Sequence, residues 1–163
     1  MVLPVSLEEL LATRSAVIIA NAVSPRRFEG YQRYRLVDRG SYEFIDEPPA
    51  PDLIARAAAL IEQQTGDRRR CVESRLLRLV PGDYVLAHHD RIRDHGLEVV
   101  FDLSPAPAPA ELHYRQHGQV CFRMPCVPGS AALVPRNPTV TSNHTYLSKL
   151  HAGEVVRWIA LFV

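Results

Sequence analysis

From Glu73 to Val163 the chain falls into about eight short extended runs separated by turn residues, and this constrains the fold more than any other feature. The runs are Leu76 to Val80, Tyr84 to His89, Leu97 to Leu103, Glu111 to Tyr114, Gln119 to Arg123, Ala131 to Val134, Thr139 to His144 and Val155 to Val163. Pro81-Gly82, the stiff Pro105–Ala110 connector and Pro128-Gly129 punctuate them. Short strands at such regular spacing bury their apolar faces only by packing sheet on sheet or by closing a sheet on itself, which predicts a sandwich, barrel or jelly roll. Ahead of residue 67 the pattern differs. Ser6 with Glu9 forms a capping box before Leu7, Leu10 and Leu11, which predicts a short helix. Ala16 to Ala22 reads as a buried strand, and Tyr34 to Asp38 and Ser41 to Ile45 as two strands about Arg39-Gly40. Leu53, Ile54, Ala57, Ala58, Leu60 and Ile61 recur at helical spacing before Gly66. The expected organisation is one mostly-β domain over residues 1–163. Residues 1–66 supply helices packed on one sheet, and 67–163 form a jelly-roll barrel of about eight strands.

Composition removes several classes of function. A net charge of +1 supplies no field to gather nucleic acid or anionic lipid, so neither is an expected partner. No apolar window approaches the roughly 18 residues of a membrane span. Met1 to Glu9 lacks a basic region and turns acidic too early for a signal peptide, so a cytoplasmic protein is expected. Cys71, Cys121 and Cys126 form no C-x-x-C and read as three reduced thiols. Of the 19 basic residues 18 are Arg, so a single Arg carries little information without its context.

The chemistry is sought among seven His. His88 and Asp90 stand at i and i+2 of an extended run and would share a face. A third imidazole from a neighbouring strand would complete a two-His, one-carboxylate face. Such a face leaves coordination positions open, as non-haem Fe(II) oxygenases require. With seven His and 18 acids in the chain, about one H-x-[DE] is expected by chance, so its surroundings must carry the weight. They are ordered. The turn Pro81-Gly82-Asp83 feeds the run ending in His88-His89-Asp90, and Pro128-Gly129 feeds Ala131 to Val134, with His144 following. Arg157 lies among apolar residues of the last run, where a charge is costly unless paired. His89, His95, His113 and His117 read as surface or supporting residues, Arg68-Arg69-Arg70 as a solvated loop, and Trp158, on the face opposite Arg157, as packing.

In this order, Gly82, His88 with Asp90, the run Val99 to Leu103, the stretch Gly129 to Pro135, His144 and Arg157, the region from Leu76 to Val163 resembles the Fe(II)/2-oxoglutarate-dependent dioxygenases of the prolyl-hydroxylase-like superfamily. The family's Gly-Gly-Glu-Leu is here Pro109-Ala110-Glu111-Leu112, and the spacing from His144 to Arg157 is longer than is common in the family. Lys149 is therefore the alternative to Arg157, and His151 the alternative to His144. The resemblance implies that His88, Asp90 and His144 ligate Fe(II) and that Arg157 holds the distal carboxylate of the cosubstrate 2-oxoglutarate. It also implies that O2 is consumed, succinate and CO2 are released, and a substrate C–H bond is hydroxylated. The carboxylate of Asp90 fills the position a halide would need, which favours hydroxylation over halogenation.

Two rivals remain. A cupin-type metal dioxygenase or isomerase would place a second His at the position of Asp90 and a Glu shortly after, and neither is present. A non-catalytic, ligand-binding jelly roll would have no use for an intact triad. The expected substrate is a small molecule, a free amino acid or other metabolite first and a protein side chain second. Its contacts are expected from the N-terminal third and from the loops Arg91–Gly96 and Pro105–Ala110.

Overall fold

In the computed structural model, residues 16–36, 40–87 and 95–163 are described. Eleven strands and one helix follow in order: β1 Val17–Ile19, β2 Gln32–Leu36, β3 Gly40–Asp46, α1 Pro51–Thr65, β4 Cys71–Leu79, β5 Tyr84–Val85, β6 Gly96–Asp102, β7 Ala108–Gln116, β8 Gln119–Cys126, β9 Ala131–Arg136, β10 Val140–His144 and β11 Val155–Phe162. The sheet thus has eleven strands rather than about eight. The eight from Cys71 onward are those expected of the C-terminal region, and three earlier ones extend them. One helix is described rather than several, since the Ser6–Leu11 segment lies outside the described residues.

The strands follow the order β1-β9-β6-β11-β4-β3-β5-β10-β7-β8, with β2 on β3. The antiparallel wall β9-β6-β11-β4 faces the wall β5-β10-β7-β8, and their side chains interleave. Val100, Ala132 and Val134 from the first wall pack with Leu112, Tyr114, Met124 and Val140 from the second. Leu77, Leu79 and Val155 meet Ala110 and Cys126 in the same way. Strand alternation sends Val156, Trp158, Ala160 and Phe162 to the outer face of β11, where they pack with α1. The indole of Trp158 stacks on Phe101 at 5.3 Å.

Helix α1 begins at Pro51, a residue pre-set for the first helical turn, and stops at Gly66, whose left-handed backbone returns its N–H to Glu62 O. Its Leu53, Ala57, Leu60 and Ile61 are buried. Each large aliphatic among them contributes on the order of 1.5–3 kcal/mol by leaving water.

Three sequence readings shift. Of the Ala16–Ala22 run read as a buried strand, only Val17–Ile19 pairs, as β1, and Ile18 is exposed. Strand β7 starts at Ala108, inside the proline-rich stretch read as a connector. The β7–β8 register slips between Ala108 and Leu112, and Pro109, with no N–H to give, occupies that irregularity. Strand β4 starts at Cys71 because its mostly exposed first residues pair with the end of β11, an interaction no apolar pattern announces.

Strand β3 joins the walls, pairing with β4 through Glu43–Asp46 and with β5 through Gly40 and Ser41. A clasp reinforces the junction. Arg33 donates from Nη1 and Nη2 to the two oxygens of buried Asp83 at 2.7 and 3.0 Å, and Ser41 Oγ and Val80 N donate to the same carboxylate. Gly40 has φ +110, and a Cβ there would lie 2.1 Å from Tyr84 O. Gly40→Ala is expected to cost about 2–4 kcal/mol, adding a disfavoured backbone to an overpacked contact. Gly30→Ala, also at positive φ but with open space, should cost roughly half that or less. Denaturant midpoints of the two variants check this, and equal losses would show that β3–β5 contact is not what holds Gly40.

Candidate active site

Strand β10 carries His144 at its last position, opposite Val85 of β5 and Leu112 of β7. Alternation turns Val140, Ser142 and His144 inward, and all three are buried. The sequence places His88 three residues after Val85, so the strand beside His144 leads directly into the H-x-D. His88 and Asp90 themselves, with His89, lie outside the described residues. Among the described residues no three His, Cys, Asp or Glu cluster as a metal site.

Arg157 lies on β11 opposite Leu77 of β4 and Asp102 of β6, and its side chain points between the walls. It is fully buried. Nη1 donates to His144 Nδ1 at 2.9 Å and Nη2 to Ala110 O at 2.9 Å, so one guanidinium reaches from the first wall to two strands of the second. Its Nε is buried with no partner, as is Oδ2 of Asp102. Asp102 exerts an attraction on the guanidinium without bonding to it, and its Oδ1 accepts from Ser104 N. The structure therefore brings His144 and Arg157 together, two of the four residues singled out in the sequence.

The alternatives lie elsewhere. Lys149 is exposed, its side chain lying over Gly82 at the β4–β5 turn. His151 sits in the β10–β11 loop, half-buried, with its ring near Gly153. His95 is exposed, His113 pairs with Glu111 at 3.0 Å, and Arg68 is an exposed partner of Glu62.

Electrostatics set the state of the pair. Burial holds the His144 pKa well below its ordinary 6.5, and the neighbouring charges of Arg157 and Arg75 push the same way. The ring is neutral in the fold, and a neutral imidazole is what a metal takes. Burial also lowers the Arg157 pKa, with Asp102 opposing it. This guanidinium is a buried cation whose described bonds go to neutral acceptors, with an N–H to spare. That suits a carboxylate ligand, and of the three residues that would hold a metal only His144 is described, a neutral imidazole able to supply one ligand.

Sequence reasoning missed a second buried charge in the barrel. Arg136 of β9 donates to Glu98 of β6 at 2.8 Å and to Val140 O at 3.1 Å, while Tyr114 of β7 donates from its hydroxyl to Glu98. Four strands, β6 and β9 of one wall and β7 and β10 of the other, are tied there. The signal was an Arg and a Glu in otherwise apolar runs, the same signal that singled out Arg157. Beside this network, Phe122, Val134 and Val140 with His95, Gln116 and Asn137 line a cleft of about 370 Å³ at the seam between β8 and β9. A larger cleft of about 620 Å³, under residues 25–31 and against Arg78 and Pro105, opens on the outer face of the first wall, away from Arg157.

No protein-family model matches this sequence, and no curated protein matches it. Solved structures do match its shape. The 2-oxoglutarate-dependent epimerase SnoN from nogalamycin biosynthesis aligns with a TM-score of 0.67 at 15% identity, over 96% of this chain and 82% of that one. A prolyl 4-hydroxylase from Pseudomonas putida aligns at 0.63 and 14% identity, over 94% and 95%. HygX from Streptomyces hygroscopicus, solved with nickel and 2-oxoglutarate, aligns at 0.58 and 13% identity, over 97% and 87%. The chain has the fold of the 2-oxoglutarate- and iron-dependent oxygenases. At these identities the likeness concerns the barrel and leaves the chemistry to the residues in it.

Two measurements probe the buried groups. An imidazole kept neutral in the fold but free to protonate in the unfolded chain makes unfolding take up a proton at low pH. Stability of the metal-free protein should therefore fall as pH drops through about 6.5, by up to roughly 1.4 kcal/mol per unit. His144→Gln should lose that slope, and urea melts from pH 7.5 to 5.5 would read it. Arg136→Met should cost on the order of 3–5 kcal/mol by stranding Glu98 in the core. The double variant Arg136→Met with Glu98→Leu should recover most of that loss, and a double variant as unstable as the single one would contradict the pairing.

Proposed function

We propose that this protein is an Fe(II)- and 2-oxoglutarate-dependent oxygenase that hydroxylates a C–H bond of a small molecule. The observation that carries the reading is the contact inside the barrel between a neutral, buried imidazole and a buried guanidinium without an acid bonded to it. His88, Asp90 and His144 would hold the iron, and Arg157 the distal carboxylate of 2-oxoglutarate. When bound, iron and 2-oxoglutarate supply the activation of O2 that oxidises a C–H bond, with release of succinate and CO2. The chain's own part is to place and to shield. The apolar side chains around Arg157 keep water from its donors, which strengthens a charge-assisted pair with a carboxylate. Among the described residues, the β8–β9 seam presents Phe122, Val134 and Val140 beside Gln116, Asn137 and His95. Three free cysteines suit a reducing cytoplasm. No helix among the described residues is long and apolar enough to cross a membrane.

Anaerobic addition of Fe(II) and 2-oxoglutarate tests the class. A weak visible charge-transfer band is expected from the wild-type chain, and none from His88→Ala or Asp90→Ala. Equal product formation with Zn2+ would sink the reading, because Zn2+ has no redox chemistry. Arg157→Gln should raise the apparent KM for 2-oxoglutarate by roughly 30- to several-thousand-fold, the consequence of truncating a buried charge pair. Lys149→Gln should change it little, and the reverse pattern would transfer the carboxylate to Lys149.

A further inference from the structure

We propose that the cleft between residues 25–31 and the outer face of the first wall is a second binding site, separate from the barrel interior, and that it takes an organic cation, an ammonium group carried on a hydrocarbon body. Strand alternation sets its place. Val156 lines the cleft, whereas Arg157, the next residue, points between the walls, so the cleft and the barrel interior lie on opposite faces of β11. A volume of about 620 Å³ falls within the range of small-molecule sites. The wall formed by residues 25–31 is fastened by its own side chains. Phe28 and Tyr31 pack against the core shared with α1. Arg26 ties the segment to α1 through Asp52 at 2.5 Å, and its guanidinium lies 4.5 Å from the centre of the Phe28 ring.

A charge imbalance defines the polar end. Arg78 donates from Nε to Glu154 Oε2 and from Nη1 to Glu43 at 2.6 Å, so one guanidinium meets two carboxylates. Both acids are about one-fifth exposed, and water screens their excess charge only in part. Glu154 lines the cleft with its second oxygen uncommitted. Beside it the guanidinium of Arg78 lies 5.5 Å from the centre of the Tyr31 ring, and the half-buried Tyr31 hydroxyl has no hydrogen-bond partner among the described residues. An ammonium has three donors and no acceptor. It can give hydrogen bonds to Glu154 and to the phenol oxygen and neutralise the excess carboxylate, whereas an anion there would be repelled by both acids. The other charges lining the cleft balance: Arg26 is engaged by Asp52, and the exposed Arg27 and Glu29 are opposite in sign. Leu103, Pro105 and Val156 supply the apolar surface for the hydrocarbon body.

The test is titration of the full-length chain with 3-phenylpropylammonium, followed by calorimetry and by the fluorescence of Trp158, the single tryptophan, which packs on the same outer face as Val156. The ammonium is expected to bind about tenfold or more tightly than 3-phenylpropanol, which has the same hydrocarbon and no charge, with 3-phenylpropionate the weakest of the three. Glu154→Gln should weaken the ammonium about tenfold and leave the alcohol unchanged. Tyr31→Phe should weaken it by about 2- to 10-fold. Backbone amide NMR shifts should move at Phe28, Tyr31, Leu103 and Val156 and stay in place at Ser142 and His144. No detectable binding of the ammonium overturns the proposal, as does an alcohol that binds equally well, a carboxylate that binds more tightly, or shifts confined to the barrel interior. A folded Glu154→Gln that binds the ammonium like wild type also overturns it. Should Glu154→Gln not fold, the three-ligand series and the shift map of the wild-type chain decide. The result is independent of the chemistry proposed for the barrel interior, whose own failure would leave this site standing.

Discussion

A fully buried guanidinium held only by neutral acceptors is the constraint on which the interior of this barrel depends. Arg157 stands on β11, in the middle of one wall, and its donors end on β7 and β10 of the other. A charge taken out of water is tolerated only where polar atoms replace its hydration. Two such atoms come from the opposite wall, and the carboxylate of Asp102 adds attraction from the neighbouring strand. The spacing between the walls and the inward turn of His144 are thereby tied to one side chain. The arrangement also leaves an N–H and a carboxylate oxygen unsatisfied in the core. Native interiors rarely keep such groups without a purpose or a water to fill them.

The second buried charge in the barrel differs in meeting an acid of the chain. Arg136 and Glu98 meet directly, Tyr114 adds its hydroxyl, and Val140 O takes another donor. Both arginines cross the space between sheets and both are solvent-free. One is closed upon an acid of the chain, whereas the other is closed upon an imidazole and a carbonyl. The difference is that Arg136 ties the walls together through an acid of the chain, whereas the bonds of Arg157 end on an imidazole and a carbonyl.

Much of this was legible in the chain. Most of the expected elements among the described residues overlap the observed ones, because each is a local signal: period two for the strands, the Leu53–Ile61 stripe for α1, and Pro51 and Gly66 at its ends. The inward direction of Arg157 followed from alternation against Trp158, which packs on the outer face. Less legible were the features made by partners distant in sequence. The first half of β4 is mostly polar and exists because β11 lies beside it. Pro109 enters β7 because a register slip needs no donor there. The Glu98–Arg136 pair joins residues 38 apart, and no spacing rule selects them from 18 acids and 18 arginines. The contact between His144 and Arg157 had the same character: each residue was singled out, but as separate holders of metal and cosubstrate, not as partners of one another.

The likeness read in the sequence covers residues 76–163, yet those residues cannot build the site by themselves. Strand β5, which leads into His88 and Asp90, has two neighbours: β10, carrying His144, and β3, contributed by the N-terminal third. Between β4 and β5 the turn at Pro81-Gly82-Asp83 does not pair the two strands with each other; β3 lies between them. Its entry at Gly40 runs so close to Tyr84 O that no side chain fits, and Arg33 of β2 is bonded to Asp83 in the turn itself. The hydrogen-bonding edge of β5 opposite β10 would otherwise face solvent, and a two-residue ladder is too short to hold position with one neighbour. Residues 32–36 and 40–46 thus hold in place the strand that lies beside His144 and from which the chain continues toward His88 and Asp90.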